Sequence, residues 1–250
     1  MPGTDLYSSF VDGLLTAVTD EPVMVFLLIA LGYLIGSLPM GVIVARLTGG
    51  TDPRTVGSGR TGGTNMLRAG GWGRAITVAL LDLAKGAVPI LIARFADAPE
   101  AVQALTGLAA VFGAWKSVFL GFHGGRGVAT GVGGMIVVEP LVIPLALPAF
   151  IIVIWTTRYV SLGSILGTAF GALVVVGFMV VDRIDPAWLL YVVPGEIIIW
   201  VAHKDNIQRL LNGTERKFSP GDRQPTPPPG TETESQTEDE SAPEHESTEP

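Results

Sequence analysis

Long apolar runs constrain this chain more than any other feature of its sequence. The stretch VMVFLLIALGYLIGSLPMGVIVARL, residues 23–47, carries one charge, near its end, and about 20 mostly apolar residues are enough for a helix to span a bilayer. In a bilayer the backbone polar groups need partners within the protein, which helices provide. The sequence therefore predicts an all-α polytopic membrane protein with about seven transmembrane helical segments, some of them short: 23–47, 73–95, 101–120, 128–139, 141–156, 160–182 and 187–203.

Basic residues mark one end of these segments. Cytoplasmic loops collect lysine and arginine, and twelve of the sixteen such residues fall in 46–74, 116–126, 156–159 and 203–217. The alternate ends of the segments are mostly acidic. A multi-pass chain with its N-terminus outside and its C-terminus in the cytoplasm fits this pattern, so the unusual polar sequence, and any active site built from it, is predicted to face the cytoplasm.

The two ends of the chain are predicted to lie outside the transmembrane domain, which spans 23–217. Residues 1–22 lack the basic start of a signal peptide, and we expect a retained extracytoplasmic segment, either irregular or a short interfacial helix. Residues 218–250 contain nine acids, one arginine and almost no apolar side chain. Such a composition cannot offset the entropy of folding, so it predicts a disordered acidic cytoplasmic tail rich in Pro, Thr and Glu.

The first polar segment, GSGRTGGTNMLRAGG at 57–71, combines glycines with hydrogen-bond donors. It contains the spacing G-x-G-x-x-G, but the buried strand that precedes a dinucleotide-binding fingerprint is missing, and no Walker A lysine follows. Glycines can instead turn several backbone N–H groups toward one anion. With hydroxyl, amide and guanidinium groups nearby, the predicted ligand is a phosphate group, and the candidate side chains are Ser58, Thr64, Asn65 and Arg68.

Two further polar segments follow. The second segment, HGGRGVATG at 123–131, again places glycines around a basic residue, Arg126. If the apolar run that follows is helical, its N-terminus would also face the anion bound by this segment. AHKDNIQRLLNGTERKF at 202–218 places His203 and Asn206 three residues apart, on one face of a helix. Taken alone, this third segment is more simply explained as a basic juxtamembrane helix that binds anionic lipid.

At these three segments the sequence resembles the bacterial membrane glycerol-3-phosphate acyltransferases that use acyl phosphate, the PlsY family. The family pattern is matched in order by GYLIGSLPMGVIVARL, GSGRTGGTNMLR, LLDLAKG, HGGRGVAT and HKDNIQRLLNGTE, over about residues 27–217. The resemblance implies acyl transfer from acyl phosphate to the 1-hydroxyl of glycerol 3-phosphate in the bacterial cell membrane, giving lysophosphatidic acid for phospholipid synthesis. It implies these substrates and membrane lipids as partners, and no cofactor, metal or nucleic acid.

The resemblance also implies roles for individual residues. Arg126, His203 and Asn206 are the expected catalytic residues, with His203 either accepting the proton of the substrate hydroxyl or orienting that hydroxyl. The expected phosphate-binding residues are Ser58, Thr64, Asn65, Arg68, Gly124, Gly125 and Gly127.

The sequence departs from the family pattern at several positions. Arg60 stands in place of an asparagine, and Arg126 in place of a lysine. In GAWKSVF, Ala114 and Ser117 replace a histidine and a proline of the family, and Lys116 is gained nearby. These changes leave open an alternative, a weakened or inactive family member that serves as a membrane scaffold.

A transporter of a phosphorylated solute is the second alternative, because it would also need cationic loops. Transporters usually bind their substrate at the bilayer midplane between repeated halves. No repeat relates residues 23–120 to residues 128–217, and the polar segments share one end of the predicted spans. This pattern favours an enzyme at the membrane interface.

Three charged residues within predicted spans are interpreted as structural. Asp82 and Lys85 lie at i and i+3 of a helix, so they can form an ion pair. Glu196, in the last span, is predicted to lie near the outer interface.

Overall fold

The computed structural model describes residues 15, 16 and 18–219, and within them the regular elements are all helices. This confirms the predicted all-α class for the described residues. The predicted acidic tail beyond Ser219 and most of the predicted N-terminal segment lie outside the described residues. The principal helices are α1 (Pro22–Ser37), α2 (Met40–Leu47), α3 (Gly63–Phe95), α4 (Glu100–Trp115), α5 (Val128–Val138), α6 (Val142–Thr157), α7 (Val160–Val180), α8 (Leu189–Ala202) and α9 (Lys204–Leu211), with short 3-10 helices at Pro53–Thr55, Val118–Leu120 and Pro186–Trp188.

Three helical segments are long and apolar enough to cross a membrane: α3, the segment Glu100–Leu120 that contains α4, and α7. Two bent pairs also meet this criterion when each is taken as one span, namely α1 with α2, bent by 48°, and Pro186–Ala202 with α9, bent by 55°. Helices α5 and α6 are apolar but shorter, with 11 and 16 residues. Among the described residues, length and composition therefore support three to five spans, and the number seven stays a prediction.

The predicted continuous span 23–47 is broken at Leu38 and Pro39, which is a correction to the sequence-based expectation. Proline has no N–H to continue the helix, so carbonyl groups before the break lose their helical partners. Ser117 Oγ donates to the Ser37 carbonyl (2.6 Å), and Lys85 Nζ donates to the Leu38 carbonyl (2.9 Å). These polar side chains replace the lost hydrogen bonds where water is scarce.

The Lys85 side chain has a second partner in the same region. Its Nζ lies 3.0 Å from Asp82 Oδ1, and the Lys85 side chain is only 7% exposed. The predicted ion pair at i and i+3 is confirmed. Together with the bond to Leu38, it ties α3 to the break between α1 and α2.

The predicted loop at 57–71 is wrong in its second half. Helix α3 already begins at Gly63, so Thr64, Asn65 and Arg68 are helical. The break that the glycines suggested lies at Gly71, whose φ of 79° and ψ of −177° are accessible to glycine and strained for other residues. A short helical stretch therefore precedes this kink and carries three of the candidate site residues.

Glycines let the helices of the bundle pack closely. Helix α1 lies on α4, and a Cβ at Gly36 would collide with the Ala110 carbonyl oxygen. Helix α3 lies on α5, where a Cβ at Gly86 would collide with the Thr130 carbonyl oxygen. Small residues at such contacts are typical of helix pairs in membranes. This packing brings the N-termini of α3 and α5 to the same part of the protein.

The outward face of the bundle is apolar. Large side chains on different helices are well exposed, among them Phe26 (70%), Leu80 (60%) and Leu173 (67%). An exposed apolar surface of this extent on several helices is typical of contact with lipid. The core itself is centred on Ile90, Trp188 and other buried residues between α3, α4, α5 and α8.

Candidate active site

One cleft brings the three basic segments together at one end of the bundle. Its volume is about 1010 Å³, and it leads from a polar mouth into an apolar groove between α6, α7 and α8. The mouth carries an excess of positive charge, which attracts anions. Among the described residues no cluster of three or more His, Asp or Glu side chains could hold a metal ion. The charged residues at the mouth are Arg60, Arg68, Arg126, Arg209, Arg216, Asp205 and Glu215.

Asn65 holds the first glycine-rich segment in its shape. Its buried side-chain Nδ2 shares its two protons among the carbonyls of Pro53 (2.6 Å), Arg60 (2.8 Å) and Val56 (3.1 Å), and its Oδ1 accepts from the Ser58 N–H (2.9 Å). These bonds use both ends of the amide. In this structure Asn65 therefore positions the loop.

Other hydrogen-bond donors of this segment lie on Ser58 and in the first turns of α3. Ser58, Thr64 and Arg68 all line the cleft. Because α3 begins at Gly63, the N–H groups of Gly63 and Thr64 precede the first hydrogen bonds of the helix. A helix N-terminus with free N–H groups and a nearby guanidinium suits a phosphate group.

Arg60, which the sequence did not single out as a site residue, connects all three basic segments. Its Nη1 donates to the Gly124 carbonyl in the second segment (3.2 Å), and its Nη2 lies 3.7 Å from Asp205 Oδ2 in α9. The side chain is 28% exposed. The asparagine of the family pattern is too short and carries no charge for these contacts, so this connection depends on the departure at residue 60.

The second glycine-rich segment lies against the end of α4. The Gly124 N–H donates to the Trp115 carbonyl (3.0 Å), and the Gly125 N–H donates to the Ala114 carbonyl (2.8 Å). A Cβ at residue 124 would collide with the Ala114 carbonyl oxygen. In this structure the two amides satisfy carbonyl groups of α4, and the glycines permit the close approach of the loop.

Gly127 and Arg126 form the part of this segment that faces the cleft. Gly127, with φ of 77°, takes a left-handed conformation and caps the N-terminus of α5. Arg126 Nε is buried and has no hydrogen-bond partner among the described residues. Burial, and secondarily the charge of Arg60, lowers the pKa of the Arg126 guanidinium to about 10, so it remains charged at neutral pH. An incompletely paired, largely buried cation favours an anionic ligand.

His203 lies between α8 and α9, where the chain bends. The residue is 1% exposed, and its Nδ1 is 2.8 Å from the Ile199 carbonyl oxygen. Since a carbonyl only accepts, Nδ1 carries the ring proton and Nε2 remains an acceptor. The ring is buried and lies near the charged Arg126 guanidinium, and both conditions disfavour a second positive charge on the imidazole. The ring is therefore neutral at pH 7 and suited to accept a hydrogen bond from a hydroxyl.

Glu215, a second residue that the sequence analysis did not select, organises the third segment. One carboxylate oxygen accepts from Ser161 Oγ (2.7 Å) and Asn206 Nδ2 (2.6 Å), and the other accepts from Arg209 Nε (2.7 Å). Burial alone would raise the pKa of Glu215, but these three hydrogen bonds lower it. The ionised carboxylate thus fixes Asn206 and Arg209 against α7.

The structure does not place Lys116 at the position of the family histidine. Ala114 lines the cleft, whereas Lys116 follows the end of α4. The Lys116 ammonium lies 4.9 Å from the centroid of the Trp115 ring, and its backbone carbonyl accepts from the Tyr33 hydroxyl. These contacts explain Lys116 without a role in the cleft.

Comparison with known proteins shows matches over most of the chain. The family described as glycerol-3-phosphate acyltransferase matches residues 26–213. A curated protein of that name from Thermus thermophilus is 42% identical over 189 residues, which cover 75% of this chain and 92% of the relative. Another, from Geobacter sulfurreducens, is 42% identical over 192 residues, which cover 77% of this chain and 96% of the relative.

Solved structures of PlsY (YgiH), described as an integral membrane glycerol 3-phosphate acyltransferase, have a similar fold. The glycerol 3-phosphate form aligns with a TM-score of 0.71 and 37% identity, covering 78% of this chain and 96% of that chain. The lysophosphatidic acid form aligns with a TM-score of 0.69 and 34% identity, covering 79% and 96%.

Proposed function

Because the chain belongs to the glycerol-3-phosphate acyltransferase family, we propose that it transfers an acyl group from acyl phosphate to the 1-hydroxyl of glycerol 3-phosphate, giving lysophosphatidic acid and phosphate. The observation that carries this proposal is the form of the cleft, whose arginine-lined mouth leads into an apolar groove. Both substrates carry a phosphate group, and one of them carries an acyl chain. A cleft with these two parts suits both substrates.

Glycerol 3-phosphate binds, in this proposal, at the first basic segment. Its phosphate accepts hydrogen bonds from Ser58, Thr64 and Arg68 and from the free N–H groups at the start of α3. This assignment is supported by the lining of the cleft and by the unused donors at that helix end. Asn65 acts as a positioning residue, because its own amide is occupied by the loop.

Acyl phosphate binds at the second segment, with its phosphate at Arg126 and at the N-terminus of α5. Support comes from the buried Nε of Arg126 and from the N-terminus of α5, which Gly127 caps and which lines the cleft. Gly124 and Gly125 contribute by letting the loop approach α4. The acyl chain then lies in the apolar groove between α6, α7 and α8.

The chemistry requires little acid or base strength from the protein. The 1-hydroxyl oxygen forms the new ester bond, the bond between the acyl carbon and the phosphate oxygen breaks, and the hydroxyl proton ends on the departing phosphate. A buried imidazole beside a guanidinium is a poor proton acceptor, because protonation would add a second positive charge to the same buried site. We therefore assign His203 Nε2 to orienting the hydroxyl, and Arg126 to stabilising the negative charge on the departing phosphate.

Asn206 acts in this proposal through the groups around it. Its amide nitrogen donates to Glu215, which also holds Arg209. The segment that carries His203 is thereby fixed against α7. Asn206 is thus a positioning residue for His203 and for the cations at the mouth.

The cleft mouth is proposed to face the cytoplasm in the bacterial cell membrane, with the C-terminus on the same side. The chain has no cysteine, so single cysteines can be introduced at exposed positions on opposite ends of the bundle, Arg54→Cys and Asp97→Cys. A membrane-impermeant maleimide added to intact cells is expected to label residue 97 and to label residue 54 only after the cells are opened. The reverse pattern would contradict this orientation.

Lys116→Ala tests whether the missing family histidine is compensated by this lysine. Because the Lys116 side chain packs on Trp115, we expect kcat to remain within about twofold of wild type, as for substitutions away from a site. Steady-state rates with saturating substrates provide the measurement. A tenfold or larger fall would instead place Lys116 in the reaction.

The proposal as a whole is tested by the purified protein in detergent with acyl phosphate and glycerol 3-phosphate. Lysophosphatidic acid and inorganic phosphate are expected in equal amounts, and a sample without glycerol 3-phosphate controls for hydrolysis of the donor. If a folded, monodisperse protein forms no lysophosphatidic acid, the enzyme proposal fails and the scaffold alternative gains support.

A further inference from the structure

A polar pair interrupts the apolar groove well below the mouth of the cleft. Thr168 on α7 and Glu196 on α8 both line the groove, and Thr168 Oγ1 lies 3.1 Å from Glu196 Oε1. This position of Glu196 differs from the predicted one near the outer interface. A carboxyl group in an apolar groove is costly unless it has a role there.

The depth of the pair follows from the two helices that carry it. Glu196 precedes His203 by seven residues, and Thr168 follows Ser161 by seven residues. Ser161 and His203 both belong to the mouth of the cleft. Seven helical residues correspond to about 10 Å, so the pair lies beside the middle of an acyl chain rather than beside its reacting carbonyl.

Only one of the two Glu196 carboxyl oxygens accepts hydrogen bonds from the described residues. Both of its donors, Thr168 Oγ1 (3.1 Å) and Trp200 Nε1 (2.6 Å), bond to Oε1. Among the described residues, no donor reaches Oε2. The Thr168 hydroxyl also lies 2.8 Å from the Ser164 carbonyl oxygen, so its proton can move between acceptors while its lone pairs stay open. The pair therefore presents unused hydrogen-bonding capacity to the groove.

From this geometry we propose that Glu196 and Thr168 form a specificity subsite that favours acyl chains carrying a hydroxyl group at this depth. The inference rests on the proposed function, because it concerns the acyl group of the same donor. A hydroxyl both donates and accepts, so it donates its one proton to Glu196 Oε2 and accepts the proton of the Thr168 hydroxyl. An unsubstituted methylene leaves the carboxyl oxygen without a donor in apolar surroundings.

The test is a competition between two acyl phosphates at saturating glycerol 3-phosphate. Stearoyl phosphate is mixed with an equal amount of a hydroxystearoyl phosphate, and the hydroxyl is moved along the chain in a series of such donors. The ratio of the two lysophosphatidic acids, measured early by mass spectrometry, is expected to peak for a mid-chain hydroxyl at roughly tenfold, the effect of one hydrogen bond to a carboxylate. Because both products come from one sample, the fraction of folded enzyme does not affect the ratio.

Three variants identify the groups responsible. Glu196→Leu is expected to reduce the peak ratio to about twofold or less, the range of a neutral change, while Glu196→Gln, which keeps an accepting oxygen, retains most of the peak. Ser164→Ala, a polar change one turn away in the same groove, should leave the ratio unchanged. A flat profile in the wild type, or a peak that persists in Glu196→Leu, would overturn the subsite. Absence of acylation with either donor would instead overturn the proposed function itself.

Discussion

Arg126→Ala is expected to lower kcat by about 100- to 1000-fold, the loss that follows removal of one preorganised group at developing charge. The Arg126 guanidinium is charged at neutral pH, and its buried Nε has no partner among the described residues. In the proposed mechanism, its interaction with the departing phosphate strengthens as the bond to the acyl carbon breaks. The KM for glycerol 3-phosphate should change little, since a group that acts in the transition state affects kcat first.

Arg126→Lys is the matched control, because it keeps the charge and restores the residue of the family pattern. We expect it to recover most of the lost turnover, although an ammonium cannot reproduce the planar fork of the guanidinium. Initial rates over a range of both substrates give kcat and both KM values. A variant Arg126→Ala with wild-type kcat and a raised KM for glycerol 3-phosphate would show that Arg126 serves the other phosphate.

Glu215→Ala is expected to be the most damaging substitution outside the proposed phosphate contacts. It removes the acceptor of three hydrogen bonds and leaves Arg209 without its counterion, near Arg60 and Arg126. Leaving such partners unsatisfied costs about 1–3 kcal/mol. We expect a lower thermal midpoint of unfolding. We also expect kcat/KM to fall by at least about tenfold, because the segment that carries His203 is no longer fixed against α7.

Two controls separate the parts of this network. Glu215→Gln keeps an oxygen for Ser161 and Asn206 but turns an amide toward Arg209, so it should fall between the wild type and Glu215→Ala. Ser161→Ala removes one neutral donor and should have the smallest effect. The thermal midpoint is measured by tryptophan fluorescence in detergent, and equal kcat/KM in the wild type and Glu215→Ala would contradict the positioning role.

The sequence predicts the all-α class of the fold and the position of the three basic segments at the same end of the helices, because both follow from local patterns. Apolar runs indicate membrane helices wherever they occur, and the distribution of arginine and lysine places their ends. The ion pair of Asp82 and Lys85 was likewise predictable from its spacing. The other partner of Lys85, the Leu38 carbonyl, is not predictable in this way, because hydropathy does not distinguish the break at Pro39 from a continuous span.

The details of the site depended on contacts between distant parts of the chain. Asn65 is predicted as a phosphate ligand, but its amide nitrogen donates to carbonyl groups of the loop. No local sequence pattern indicates these hydrogen bonds. Arg60 and Glu215 are not among the predicted site residues, although the sequence marks both. Arg60 departs from the family pattern, and Glu215 is the last residue of the final matching block, HKDNIQRLLNGTE. The position of Glu196 in the groove depended on the pairing of α7 with α8, which hydropathy cannot specify.

We propose that one cleft holds two phosphates at two separate groups of donors, and equilibrium binding of glycerol 3-phosphate distinguishes these groups. Isothermal titration calorimetry on the detergent-solubilised protein, without acyl donor, compares the wild type with Arg68→Ala and Arg126→Ala. We expect binding to the wild type, a loss of about tenfold or more in affinity for Arg68→Ala, as for a charged hydrogen bond, and a clearly smaller loss for Arg126→Ala. Equal losses in both variants, or the larger loss in Arg126→Ala, would contradict this proposal.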